Sequence, residues 1–585
     1  MTHRLRGGKA RSPGGLPRLP GAYGRVMLLA TGEPFSTRGA LIGWTLAVGV
    51  VSAALLLAAV TALDFTTNGT GNGLWKSPDV EKWMRGAPDR TFDMSAVFYF
   101  PVVGGVARVV TGVRPGREVW RLMADANALF GALAVTCVFL TVYQLTRRVA
   151  AGVLAALFQL GLGFFLLLAT ISEDIMPGYA FFLAALALLL AFARTRRGAL
   201  LFLSAQGFTV SWLLHWTLIA AGPAFVSALV LLPGGRRVRW RRAAAFCLSC
   251  LLLVAVASAW SGIKPHRLLF PGKGLGMGWA GFSWQKMVLC WEAMGQYVFG
   301  GGNLGSWQVA LEPRNLAEAV AGWVVILAVG WLSARVFWRQ RAQDAWLAAG
   351  AVLAGTLILG EAGNIYSQPQ DPQMQIQPMA WLPVGFGAWI GCLALTWWRR
   401  AWRGAVLAGV PLAFNLWSFA PGRGADSAAV AELRRVERAV EGRALLLTHG
   451  FDQINCWSYA VWGPSRCRVV GIPGRERIKP PLSRGEFAFV MLASEMSWYP
   501  RRSAATAGRS LVDQLDAGMR AGYRVVAGPV WDMGEEELVS SLATMAGAEK
   551  ARAMRRALRR NFEAAALVST SWGQFYELRH KLRRR

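Results

Sequence analysis

The chain has 585 residues, of which 54% are hydrophobic and only 16% charged, with 27 Trp and a mean hydropathy of +0.34. That composition excludes an ordinary soluble globular protein and indicates a polytopic membrane protein. A formal net charge of +30 would suggest nucleic acid in a soluble chain. Here the basic residues fall in short clusters between apolar runs, the mark of membrane topology, so membrane lipids are expected as partners and nucleic acid is not.

Residues 1–38 are basic, rich in Gly and Pro, and read as a cytoplasmic tail. Apolar runs near the ~20 residues needed to cross a bilayer then follow. They lie at 39–63, 122–146, 149–171, 177–194, 199–214, 217–233, 242–262, 316–338, 344–361, 379–398 and 402–420. About eleven transmembrane helices with a cytoplasmic N-terminus place every basic connection on one side: "TRR" (146–148), "RTRR" (194–197), "GGRRVRWRR" (234–242), "WRQRAQD" (338–344) and "WWRRAWR" (397–403). The reading is therefore a multi-pass protein of a cytoplasmic (inner) membrane.

The alternate connections, 64–121, 172–176, 263–315 and 362–378, are then external. The first carries Asp64, Asp79, Glu81, Asp89 and Asp93, followed by "FYFPVVGGVARVV", an apolar segment suited to the membrane interface. After Pro421 short apolar runs such as "ALLLTHG", "CRVVGI", "FAFVMLA" and "YRVVAGPVW" alternate with helical stretches. Residues 421–585 thus read as a soluble α/β domain with a small parallel sheet, on the external side. This domain has no nucleophile elbow, P-loop or metal-ligand cluster; His449 follows a predicted strand. Arg555, Arg556, Arg559 and Arg560 fall on a helix that either rests on anionic headgroups or is solvated.

Polar groups at membrane depth are costly, so their placement carries information. Glu173 and Asp174 in "ATISEDIMPGY" are best explained as a short external turn bringing two carboxylates to the water boundary above the bundle, with Pro177 in the first turn of the next helix. His215 in "WLLHWTL" has no acidic neighbour in the chain and reads as a neutral imidazole satisfied by a helix carbonyl. The run "KPHRLLFPGKGLGMG" joins Lys264, His266, Arg267 and Lys273 to a glycine-rich stretch able to close over an anionic headgroup. "NIYSQPQDPQMQIQP" gathers Tyr366, Gln370 and Asp371 on a backbone stiffened by proline, suited to sugar hydroxyls.

Acidic residues just after the first span, the interfacial "FYFPVVGGVARVV", then "ATISEDIMPGYAFFLAALALLLAF" and "VSWLLHWTLIAAGPAFVSALVLL", resemble the GT-C class of membrane glycosyltransferases, in particular the bacterial protein O-mannosyltransferase-like members. The likeness covers about residues 40–400, and departs from the family pattern where Pro177 and Gly178 precede Tyr179. It implies a GT-C-like helical domain over 39–420. It also implies transfer of a sugar from a polyprenyl-phosphate donor to a glycan, lipid or protein acceptor hydroxyl outside the membrane.

The resemblance draws the catalytic base from the first external loop, Asp64 or Asp93. Glu173 and Asp174 would orient the sugar or acceptor or bind a divalent cation, for which two adjacent carboxylates are a weak signal. Tyr179 would contact substrate. Arg108, Arg117, Lys264, His266, Arg267 and Lys273 are the cations that would meet the leaving phosphate, and Tyr366, Gln370 and Asp371 would contact substrate. No cofactor beyond that cation is expected. The alternatives are a transporter or flippase of a lipid-linked glycan, against which the absence of an internal repeat argues, and a non-catalytic membrane scaffold.

Overall fold

The computed structural model describes residues 38–65, 72–87, 90–93, 96–114, 116–269, 282–300, 313–366, 371–393, 397–420, 423–440, 442–448, 453–462, 467–469, 487–491, 503–538 and 548–581. The N-terminal tail as far as residue 37 lies outside them, as do Asp89, Lys273, Gln370 and His449.

The first part of the chain is a helical bundle: α1 (Arg38–Leu63), α2 (Asn72–Arg85), α3 (Tyr99–Val113), α4 (Val119–Thr146), α5 (Val149–Gly161), α6 (Gly163–Thr170), α7 (Ile175–Thr195) and α8 (Gly198–Leu214). A 3-10 turn at Trp216–Ala221 leads into α9 (Gly222–Leu231). Then come α10 (Arg236–Ser261), α11 (Pro265–Leu269), α12 (Trp284–Phe299), α13 (Pro313–Gln340), α14 (Asp344–Tyr366), α15 (Pro372–Ile376), α16 (Trp381–Cys392) and α17 (Trp397–Phe419).

Each of the eleven apolar runs is helical over most of its described residues. Among the described residues, however, six helices are long and apolar enough to cross a membrane, and seven if the pair α5–α6, bent by 72° at Leu162, counts as one span. Glycine and proline account for the shorter ones: Gly161 and Gly163 flank the bend, and Gly222–Pro223 opens α9.

Helices α4 and α7 form the centre, with 67% and 78% of their apolar windows buried, against 17% for α1 and 22% for α10 and α13. The outer helices keep Leu46, Val50, Leu252, Val256, Val324 and Leu327 exposed. Such a ring of exposed aliphatic side chains around a buried centre suits hydrocarbon as solvent. The first external connection holds two helices, not one. Besides the expected α3, α2 lies across the bundle with Leu74, Ser77 and Val80 buried at helical spacing.

The C-terminal domain consists of α18 (Ala425–Val440), β1 (Ala444–Thr448), α19 (Gln453–Trp462), β2 (Cys467–Val469), β3 (Phe487–Met491), α20 (Ala504–Arg520), β4 (Arg524–Ala527), α21 (Ala548–Asn561), β5 (Phe562–Thr570) and β6 (Gly573–His580). The six-stranded sheet has the order β2-β3-β1-β4-β6-β5. The four strands expected from their apolar runs pair in parallel. The antiparallel β5–β6 hairpin, which extends the sheet beyond β4, was not legible as strand. Its residues are mostly exposed or half-exposed and include alanines and charges, so it lacks the continuous apolar run of a buried strand.

This domain docks directly on the bundle's loop helices. Leu74 of α2 and Trp120 of α4 share one apolar cluster with Leu433, Val436, Trp457 and Trp462. The rings of Trp120 and Trp457 meet edge-on at 5.7 Å.

Candidate functional site

The connection between α6 and α7, Ser172–Glu173–Asp174, lies under α2 and is buried, with Glu173 only 1% exposed. The two carboxylates are therefore not at an open water boundary. Asparagine 127 of α4 pins their backbone, its Nδ2 donating to the carbonyls of Ile171, at 2.7 Å, and Glu173. Gly73 lets α2 press down on this turn: a Cβ there would collide with the carbonyl and hydroxyl of Ser172.

That approach delivers Lys76. Its ammonium donates to Asp174 Oδ2 and lies 3.1 Å from Asp93 Oδ2. It also stands 5.0 Å from the centre of the Tyr99 ring. Burial alone would lower the Lys76 pKa, but the carboxylates of Asp174 and Asp93 outweigh it and hold the group charged well above its usual range. Burial would raise Asp174; Lys76 and then His215 hold it below the ordinary carboxylate value. Asp174 occupies the N-cap position of α7 without its side chain capping the helix, and the helix dipole favours its negative charge. The Tyr99 phenol, buried and without a hydrogen-bond partner among the described residues, is pushed far up by burial and then by Asp174, Glu173 and Asp93.

His215 does have an acidic partner, contrary to the sequence reading: Nε2 lies 3.5 Å from Asp174 Oδ1, while Nδ1 and Thr217 Oγ1 are 2.7 Å apart. Burial lowers its pKa, with Asp174 opposing. Glu173 turns the other way, its Oε2 accepting from Gln373 Nε2 at 2.6 Å. Gln373 lies in the first turn of the short helix α15, and its backbone N–H donates to Asp371 Oδ1 at 2.9 Å. Burial, offset by that bond and reinforced by Asp174, pushes Asp371 up to about 7.

Five acidic or cationic groups from four separate parts of the chain thus converge: Lys76, Asp93, Glu173, Asp174 and Asp371. Four of them were sequence candidates. Lys76 was not, and neither were Tyr99, Asn127 and Gln373. A lysine among Asp79, Glu81 and Lys82 looks solvated until α2 is known to lie over the turn.

Other candidates fall elsewhere. Asp64 adopts φ 45° at the end of α1, and its carboxylate accepts from Arg121 at 2.7 Å and from the Ser427 hydroxyl. It anchors the C-terminal domain and is not in the Lys76 cluster. Asp93 does not cap α3, which begins at Tyr99 with Phe98 at its N-cap. Tyr179 is turned into the bundle core, stacked with Phe182 and facing Gln159 and Tyr297. It makes no contact with the cluster because it lies more than a turn along α7 from Asp174.

Arg117 pairs with buried Asp125 at 3.1 Å, and Arg108, Lys264, His266 and Arg267 are exposed or half-exposed, outside the cluster. Tyr366 ends α14, and its side chain lies outside the described residues. Among the described residues no group of three or more His, Cys, Asp or Glu is arranged to hold a metal ion. Glu173 and Asp174 diverge, toward Gln373 and Lys76 respectively.

No family model and no curated protein matches the chain. Solved structures do. It is similar to ArnT from Cupriavidus metallidurans bound to undecaprenyl phosphate, with a TM-score of 0.53 and 13% identity over 92% of this chain and 98% of that one. It is similar to the Archaeoglobus fulgidus oligosaccharyltransferase in complex with Zn and sulfate, with a TM-score of 0.54 and 13% identity over 91% and 73% of the two chains. AglB from the same organism, in complex with an inhibitory peptide and a dolichol-phosphate, gives a TM-score of 0.52 and 12% identity over 91% and 74%. The chain has the fold of the GT-C glycosyltransferases, as the sequence resemblance implied.

Proposed function

We propose that the chain is an integral-membrane glycosyltransferase that moves a sugar from a polyprenyl-phosphate donor to an acceptor hydroxyl, with Lys76 and its carboxylates at the reaction centre. The observation that carries this is the Lys76 ammonium held between Asp93 and Asp174 at the junction of the bundle and its loop helices. Departure of a lipid phosphate develops negative charge, which a fixed, partly buried cation stabilises more than a mobile surface lysine does. An ammonium has three donors, so one beyond the two directed at carboxylates can reach a phosphate oxygen. The acceptor hydroxyl needs a carboxylate to take its proton, and the cluster supplies several.

The fold shared with structures holding undecaprenyl phosphate and dolichol-phosphate supports a polyprenyl-phosphate donor. The likeness to O-mannosyltransferase-like sequences supports a hydroxyl acceptor. The basic connections support an inner-membrane location with the N-terminus cytoplasmic and the reaction on the outer face.

The test is purified protein in proteoliposomes supplied with radiolabelled polyprenyl-phosphate hexoses, pentoses and aminosugars, with an envelope glycan extract as acceptor. Label moving to the acceptor with wild type but not with K76M supports the reading. Label that crosses the bilayer while still attached to lipid would replace it with a transporter.

A further inference from the structure

We propose that Asp371 is the general base that takes the proton from the acceptor hydroxyl; this rests on the glycosyltransferase reading and assigns a role within its site. The carboxylates of the cluster differ in how they are engaged. Asp93 and Asp174 both face the Lys76 ammonium, which holds Asp174 in its charged form and makes it a weak base. Glu173 is spent on Gln373. Asp64 is bound by Arg121 and Ser427.

Asp371 is held by a backbone N–H and, among the described residues, by no cation. Its Oδ1 accepts one backbone N–H, from Gln373. The same Gln373 reaches Glu173 with its side chain, so Asp371 is tied to the Lys76 cluster by a single residue. At 8% exposure it is withdrawn from bulk water.

The elements packed on α15 carry Cys290 and Glu292 on α12, Glu361 on α14, and Glu173 and Asp174 on the turn after α6. Glu361 is occupied by Cys290, 3.0 Å away, and by Gln375 at 3.4 Å. Of all these groups only Asp174 acts appreciably on Asp371, and it raises the affinity of Asp371 for a proton, as burial does. A base poised near neutral pH combines a useful ionised fraction with real proton affinity.

The acceptor oxygen attacks the anomeric carbon as its proton passes to Asp371 Oδ2. The bond from that carbon to the phosphate oxygen breaks, and its electron pair leaves on the polyprenyl phosphate beside Lys76. Asp371 later returns the proton to water.

The experiment is kcat/KM for sugar transfer between pH 5 and 9 in wild type, D371N, D371E and D93N. Asn caps a helix about as well as Asp, so D371N keeps the start of α15. Because the base acts deprotonated, wild type should gain activity as pH rises and level off above about 7. D371N should fall roughly 10²–10⁴-fold, lose that acidic limb and keep its KM for donor; D371E should recover part of the rate with a displaced limb. Transfer by wild type with D371N retaining rate and limb, or with the limb lost in D93N instead, overturns the assignment alone. Wild type that transfers no sugar at any pH brings down the transferase reading together with it.

Discussion

The Lys76 ammonium is bonded to Asp174, 98 residues away in the chain, and this pair joins the first loop helix to the turn between α6 and α7. Both side chains are mostly buried, at 17% and 9% exposure. Removing one member of a buried ion pair leaves the other uncompensated, at a cost of about 3–5 kcal/mol when burial is complete.

K76M should therefore lower thermal stability and abolish sugar transfer. K76R keeps the charge but replaces a compact ammonium with a planar fork, and should keep the stability while losing most of the activity. Combining K76M with D93N separates the two effects. It removes one of the stranded carboxylates and should regain part of the lost stability without regaining transfer, a coupling that a double-mutant cycle of Tm values reads directly. Additive Tm changes across that cycle would show that Lys76 and Asp93 do not interact.

Glycine 73 sets how closely α2 approaches Ser172. In an isolated helix Gly→Ala is favourable by up to ~1 kcal/mol. Here the added methyl meets the Ser172 carbonyl and hydroxyl, and the carbonyl belongs to backbone pinned by Asn127. G73A should push α2 outward, carry Lys76 away from Asp174, and reduce transfer more than tenfold. Its Tm should fall despite the better helix former. A G73A protein with wild-type rate and Tm would show that the close approach is not what places Lys76.

The extent to which this site could be read in sequence follows from the kind of cost each residue incurs. Glu173 and Asp174 interrupt an apolar run, where charge is expensive, so they announce themselves. Asp371 stands out differently, in a polar connection whose Gln side chains and proline-stiffened backbone suit sugar hydroxyls. Lys76 sits in a polar loop where a lysine costs nothing, and its role exists only once Gly73 has let α2 down onto the turn. His215 looked unpartnered because Asp174 is 41 positions away and meets it through packing: Gly178 leaves room for Leu218 and the Ser211 carbonyl.

In the fold, apolar periodicity located the helices and the four parallel strands but not the 72° bend between α5 and α6, because the run stays apolar through Gly161 and Gly163. Tyr179 was placed by resemblance to a motif whose spacing this chain does not keep. The helix turns it into the core.

Asp64 supplies the last prediction. Where α1 ends, Leu63 and Asp64 turn their carbonyls to the N–H groups of Gly424 and Asp426, at 2.8 and 3.1 Å, and the Asp64 carboxylate accepts from Ser427 N at 3.3 Å. These are among the otherwise unsatisfied donors at the start of α18, so the end of the first span caps the first helix of the C-terminal domain. Asp64 does this at φ 45°, a conformation Asp and Asn tolerate and Ala resists by about 1–2 kcal/mol.

D64A should loosen the docking of the domain, seen as faster proteolysis between residues 420 and 425. D64N, which keeps the backbone conformation and gives up the ion pair with Arg121, should stay nearer wild type in both proteolysis and sugar transfer. If D64N abolishes transfer while the domain remains protected, Asp64 acts in the chemistry itself, and anchoring is secondary.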